Sequence, residues 1–123
     1  MIYIDSCALV KLVRAEEHST AIAQYVSAAT AAMISSELTR TEVHRALWRN
    51  QEDPTVHAAA EKLLRPVATL PIGPAVDSAA ELPHQHLRSL DALHLATALK
   101  LGAAVSAFIT YDQRLAQAAR ESG

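Results

Sequence analysis

The stretch from Arg88 to Gly102, RSLDALHLATALKLG, limits the folds open to this chain more than any other. Leu90, Leu93, Leu95, Leu99 and Leu101, with Ala92, Ala96 and Ala98 among them, leave no continuous polar face, so as a helix it must be covered on most sides. Ser89 can cap its start and Gly102 can end it. One carboxylate, Asp91, lies inside this apolar helix, where a charge is costly unless a cation or hydrogen-bond donors meet it. Asp91 falls in the first turn, so complementing the helix dipole is the plainer reading. The sharper reading requires other carboxylates to be delivered to the same place.

A covered helix needs a core, and 123 residues make one domain, 1–123, large enough to bury one without staples. Hydrophobic residues are 50% of the chain, mostly Ala and Leu, while aromatics are 4% and glycines number 3, which suits helices packed on a small sheet better than a turn-rich all-β fold. The single Cys7 excludes an internal disulfide and reads as a small packing residue, and no Cys/His spacing resembles a zinc site. No apolar run approaches the roughly 20 residues of a membrane span and no basic-then-apolar leader opens the chain, so a cytoplasmic protein with no membrane partner is expected. A net charge of −2 offers no bulk attraction to nucleic acid, yet a basic rim around an acidic centre would leave the same total. Lys11, Arg14, Arg40, Arg45, Arg49 and Arg88 are candidates for such a rim, each also readable as a solvated surface charge.

Taken in order, Met1 to Ile4 reads as a strand buried on both faces and Ser6 to about Lys11 as a short helix. His18 to Thr30 has helical spacing, Ala32 to Ser35 is a second strand, and Ser36 caps a helix from Glu37 to about Arg49. Asp53-Pro54 opens a helix that runs to about Leu64. Val67 to Ile72 reads as a third strand between prolines, Pro74 to Leu82 as a helix, and Pro83 to Leu87 as a loop into the Asp91 helix. Ala107 to Thr110 is a fourth strand and Asp112 to Arg120 a last helix. Strands separated by helices argue for an α/β fold, a central parallel sheet with helices on both faces.

That architecture says where acids matter, because sites in open parallel sheets form outside the carboxyl ends of the strands, at a topological switch point. Asp5 ends the first strand, Asp112 follows the fourth, Glu42 is about two turns into the helix leaving the second, and Asp91 starts its own helix. All four can converge on one edge. Each has a plainer alternative: Asp5 or Asp112 as helix caps, Glu42 as a surface acid. The other nine acids fit surface or cap roles better. Four carboxylates in a partly dry cleft repel, so without a cation some take up protons. Hard divalent cations prefer such oxygen ligands, and they acidify water and neutralise a phosphodiester. The chemistry implied is metal-dependent phosphodiester cleavage.

MIYIDSCALVKL, SSELTRTEVHRAL, RSLDALHLATALKLG and FITYDQRL resemble, in that order, the four motifs of the PIN-domain ribonucleases, and within them the VapC toxins of bacterial type II toxin–antitoxin pairs. The resemblance implies a PIN-like sheet of four or five strands. It implies that Asp5, Glu42, Asp91 and Asp112 bind one or two Mg²⁺ or Mn²⁺ ions and activate water, with Ser6 and Thr110 at polar positions that support the acids. It further implies a VapB-like antitoxin whose tail covers the acidic cleft, a homodimer, and a structured RNA substrate such as tRNA or an rRNA loop, cut to leave a 5′-phosphate and a 3′-hydroxyl. A fifth, closing strand has no counterpart before Glu121-Ser122-Gly123.

Other readings are weaker. A phosphotransfer enzyme with an aspartate nucleophile would want a second acid at Cys7. A receiver-type signalling domain would want an aspartate ending the third strand and a lysine near Thr110, and neither is present. A non-catalytic PIN scaffold that binds RNA or a protein remains the nearest rival. His84 and His86, two apart in a loop, read as solvated rather than metal-binding, and His94, one turn beyond Asp91, could face the same site but reads first as a hydrogen-bonded core histidine. Trp48 and Tyr25 could stack on bases but suit packing or a protein interface better.

Overall fold

The apolar run Ile2–Ile4 becomes a strand here because helices cover both of its faces. The computed structural model, which describes residues 1–123, has the strands β1 (Ile2–Ile4), β2 (Met33–Ser36), β3 (Ala68–Leu70) and β4 (Ala107–Ile109). They form one parallel sheet in the order β3-β2-β1-β4. The helices are α1 (Ser6–Val13), α2 (Ser19–Ala28), α3 (Leu38–Arg49), α4 (Pro54–Leu64), α5 (Val76–Ala80), α6 (Ser89–Leu101) and α7 (Gln113–Glu121). No helix is long and apolar enough to cross a membrane.

Side chains alternate across a strand, and β1 uses both directions. Ile4 packs with Ala8 and Leu9 of α1, Val43 and Leu47 of α3, and Ala60 and Leu64 of α4. Tyr3 points the other way, with Ile34 and Ala98 of α6, while Leu95 of α6 meets Leu115 and Ala118 of α7. The sheet therefore carries helices on both faces, as expected. Helix α6 buries Ala92, His94, Leu95, Ala96, Thr97 and Ala98 in one run, so the helix lacking a polar face is indeed covered on most sides.

Four local expectations need correction. The third strand is Ala68–Leu70, not Val67 to Ile72, and two of its three residues are exposed. It is an edge strand bracketed by Pro66 and Pro71, which cannot donate to a ladder. The helix expected over Pro74 to Leu82 is a 3-10 turn at Gly73–Ala75 followed by five helical residues, because Pro83 disfavours helical backbone just before it. Ser89 does not cap α6: it is the first helical residue, and Arg88 holds the flanking position without a side-chain bond. Helix α1 runs two residues past Lys11, to Val13.

Gly102 ends α6 as expected, at φ 53° and ψ −130°, its N–H bonded to the carbonyl of Leu99. A side chain there would meet no neighbour within 4 Å, so the cost of adding one is conformational. Gly102→Ala is expected to lower unfolding free energy by about 1–3 kcal/mol, read as a lower urea midpoint with an unchanged slope.

Candidate active site

The chain winds outward from β1 to β2 to β3, then returns to place β4 on the other side of β1. The crevice at the carboxyl ends of β1 and β4 is thus the switch point of the sheet. Asp5 follows β1, and its N–H bonds to the carbonyl of Ile109 in β4. The Thr110 hydroxyl donates to Asp5 Oδ2 and accepts the N–H of Asp112 at 3.0 Å. One hydroxyl therefore ties together the acids that follow the neighbouring strands β1 and β4. Ser6 makes no side-chain hydrogen bond to any of the four acids.

Asp5 is 3% exposed, and such burial pushes its carboxyl above the usual range. Thr110, the Cys7 thiol and the Ala8 N–H, which Asp5 Oδ1 accepts at 3.0 Å, pull the other way. Asp5 thus caps α1 while lying at the strand-end crevice. Cys7 does more than pack: its Sγ is 3.1 and 3.2 Å from the two Asp5 oxygens. Burial first, and then the Asp5 charge, push this thiol up to about 12, so it keeps its proton and remains a donor. Asp112 also caps, accepting the N–H of Leu115 at 2.9 Å through Oδ1 alone.

Glu42, partly exposed on α3, is gripped by His94, the buried histidine read from the sequence as hydrogen-bonded in the core, one turn beyond Asp91. His94 of α6 is 1% exposed, its Nε2 is 2.6 Å from Glu42 Oε1, and its Nδ1 is 2.8 Å from the Tyr3 hydroxyl. A carboxylate only accepts, so Nε2 carries the proton, and Nδ1 is left to accept the Tyr3 O–H. Tyr3, fully buried, is held above its ordinary pKa chiefly by that burial and keeps its proton. The relay Tyr3–His94–Glu42 fixes the carboxylate from the middle of the sheet. A charged acid beside a buried histidine was the available signal, but nothing in the spacing joins Tyr3 to His94.

Asp91, in the first turn of α6, accepts no hydrogen bond. Its carboxyl is raised first by burial, then by the charges of Asp112, Asp5 and Glu42, with His94 opposing. Four acids from four elements thus act on one another at a single edge. No three His, Cys, Asp or Glu side chains stand close enough to hold a metal ion by themselves. The donor set still fits a hard divalent cation, since Mg²⁺ takes one or two carboxylates and keeps waters elsewhere, and Asp91 carries unrelieved repulsion that a cation would offset.

The remaining candidates divide. Lys11 and Arg14 pair with Glu16, Arg14 also with Glu52, and Arg40 with Glu61, whereas Arg45, Arg49 and Arg88 have no carboxylate partner. His84 ties the end of α7, 3.2 Å from Glu121 and 3.1 Å from Ser122, and His86 is exposed. Trp48 and Tyr25 are half exposed, Trp48 leaning on His57 with ring centres 4.2 Å apart, so neither is a core anchor.

The PIN domain model matches residues 2–121. Ribonuclease VapC35 of Mycobacterium tuberculosis (strain CDC 1551 / Oshkosh) is 41% identical over 97% of this chain and 90% of its own length. Ribonuclease VapC46 of M. tuberculosis (strain ATCC 25618 / H37Rv) is 39% identical over 99% of this chain and 92% of its own. A crystal structure of M. tuberculosis VapC20, there described as a sarcin-ricin loop cleaving toxin, superposes with a TM-score of 0.80 at 18% identity, covering 96% of this chain and 95% of that one, and so shares the fold. With the motif order and the strand-end acids in place, the chain belongs to the PIN-domain family, within its VapC-type ribonucleases.

Proposed function

We propose that this protein is a divalent-metal-dependent endoribonuclease, the toxin of a type II toxin–antitoxin pair. The observation that carries the reading is the half-buried Asp91, without a hydrogen-bond partner and raised by Asp5, Glu42 and Asp112 together at the switch point. Asp5, Glu42, Asp91 and Asp112 would hold one or two Mg²⁺ or Mn²⁺ ions. The chemistry supplied by such a cation is charge neutralisation at the phosphodiester and acidification of water for in-line attack.

The chain's own residues do the rest. Thr110, Cys7 and the Ala8 N–H hold Asp5 still, and His94 orients Glu42. Asp91, with both oxygens free of hydrogen bonds and pressed by three neighbouring charges, is open to the cation and its waters. Cleavage leaves a 5′-phosphate and a 3′-hydroxyl. A VapB-like antitoxin covering the acidic cleft would supply inhibition, a homodimer is the assembly, and tRNA or an rRNA loop is the substrate class.

The test is cleavage of total tRNA and rRNA fragments with Mg²⁺ or Mn²⁺, beside a chelator control and Asp5→Asn. Cutting should disappear in chelator and fall on the order of 10³-fold in the variant, the loss of several kcal/mol of transition-state stabilisation. Cutting that persists in chelator would sink the metal mechanism. No cutting of any RNA would favour an RNA-binding scaffold.

A further inference from the structure

A groove of about 520 Å³ leaves the acid edge and runs along α3. Glu42, Ser6 and Leu90 lie among its walls near the site, and Arg45, Arg49 and Asn50 line it further on. Both arginines are exposed and neither has a carboxylate partner, unlike Arg14 and Arg40. The one other acid on the wall, Glu16, is already engaged, 2.7 Å from Arg14 and 3.6 Å from Lys11. The groove therefore passes from negative at the acids to uncompensated positive beyond them. Arg49 stands in the last turn of α3, where the helix dipole favours a cation, but Arg45 is mid-helix and has no such explanation.

We infer that this groove is the track for the RNA backbone next to the cut, with Arg45 and Arg49 each gripping one phosphate. The inference rests on the nuclease reading and deepens it. Arg45 is one turn beyond Glu42, about 4.5 Å along the axis, and Arg49 about 6 Å further, a step comparable to that between successive phosphates of an extended strand. Guanidinium forks suit phosphate oxygens and read no base, so the track positions the strand without selecting its sequence. The partial positive charge at the mouth of the cleft also offsets the repulsion between four carboxylates and an incoming polyanion.

The experiment uses the full chain carrying Asp91→Asn, so that RNA is bound and not cut. The probe is a fluorescein-labelled oligouridylate of about a dozen nucleotides, with binding followed by anisotropy across a salt series. Each phosphate contact contributes about 0.7 to the slope of log affinity against log salt, so adding Arg45→Gln and Arg49→Gln should flatten it by about 1.4 and weaken binding at low salt. Lys100→Gln on the same background is the control, about 14 Å from Asp91 along α6. An unchanged slope in the double arginine variant overturns the track. So does an equal loss in the control, or a parent that does not bind the probe. Binding through the arginines in a protein that cuts no RNA would instead sink the nuclease reading and leave the track standing. Cutting by the native chain with an unmoved slope would do the reverse.

Discussion

Asp91→Asn is expected to melt at a higher temperature than the native chain in chelator at pH 7.5, and to have lost metal-dependent RNA cleavage by about 10³-fold or more. The two effects have one cause. Burial, together with Asp112, Asp5 and Glu42, makes a negative charge on Asp91 unfavourable in the folded protein, and asparagine keeps the shape while removing the charge. For a domain of this size, every kcal/mol of relieved repulsion raises Tm by roughly 3–6 °C. Saturating Mg²⁺ or Mn²⁺ should stabilise the native chain, by about 2.7 kcal/mol at a hundredfold excess over Kd, and stabilise the variant much less. A variant that melts lower than the native chain in chelator would show that Asp91 is held by something other than a cation.

The same shifts set the sign of the pH dependence. Asp5 and Asp91 are both raised when folded, so the native state binds protons more tightly than the unfolded chain. Their contribution to instability is absent at low pH, grows as pH rises past the unfolded carboxylate value of about 3.9, and is complete above the folded values. The metal-free protein should therefore gain stability as pH falls through the raised folded values of these two carboxyls, and Asp91→Asn should show a shallower dependence. Glu61 works oppositely: its hydrogen bond from His44 lowers its carboxyl, and that support is lost as pH falls through the lowered value. A thermal melt series in chelator reads both arms.

The layering of this molecule is visible in its sequence because it depends on periodicity. Short strands, the first of them apolar throughout, separated by helices, admit few arrangements other than a parallel sheet covered on both sides. The acids are visible for a different reason: Asp5 and Asp112 follow strands, and the order of the strands decides what their ends share. What escapes is whatever depends on a contact between elements distant in the chain. Tyr3 looks like one more apolar strand residue, and only the buried His94, ninety-one positions away, shows that its hydroxyl has a task. Cys7 reads as filler until the turn after β1 brings its sulfur onto Asp5. Arg45 and Arg40 are alike in sequence, and differ because Glu61 of α4 reaches one and not the other. The errors over β3 and α5 were local. Apolar composition outweighed the prolines at 66, 71 and 83, whose missing donors and steric demands win in short elements.

His94 is the position where fold and site depend on one side chain, so its truncation has the largest stability effect expected here. His94→Ala leaves a cavity in a closely packed layer, strips the Tyr3 hydroxyl of its partner and frees Glu42 to turn. Cavity and unpaired polar groups together should cost about 3–5 kcal/mol, a large part of the roughly 5–15 kcal/mol that a domain of this kind possesses. Truncating any well-packed buried residue brings such a loss, so stability alone does not establish the relay. His94→Gln supplies the distinction, because its amide nitrogen occupies the place of the imidazole Nε2 and can still donate to Glu42 while leaving Tyr3 unserved. Measured below its own melting temperature, His94→Gln should recover cleavage to near the native rate yet remain less stable. His94→Ala should stay about 10–100-fold slower, the usual cost of losing a group that orients a ligand. Tyr3→Phe should do the converse of His94→Gln's loss alone, destabilising by about 1–3 kcal/mol through an unpaired Nδ1 with little change in cleavage. Equal rates in the alanine and glutamine variants would mean that Glu42 needs no orienting partner, and that the histidine serves the core only.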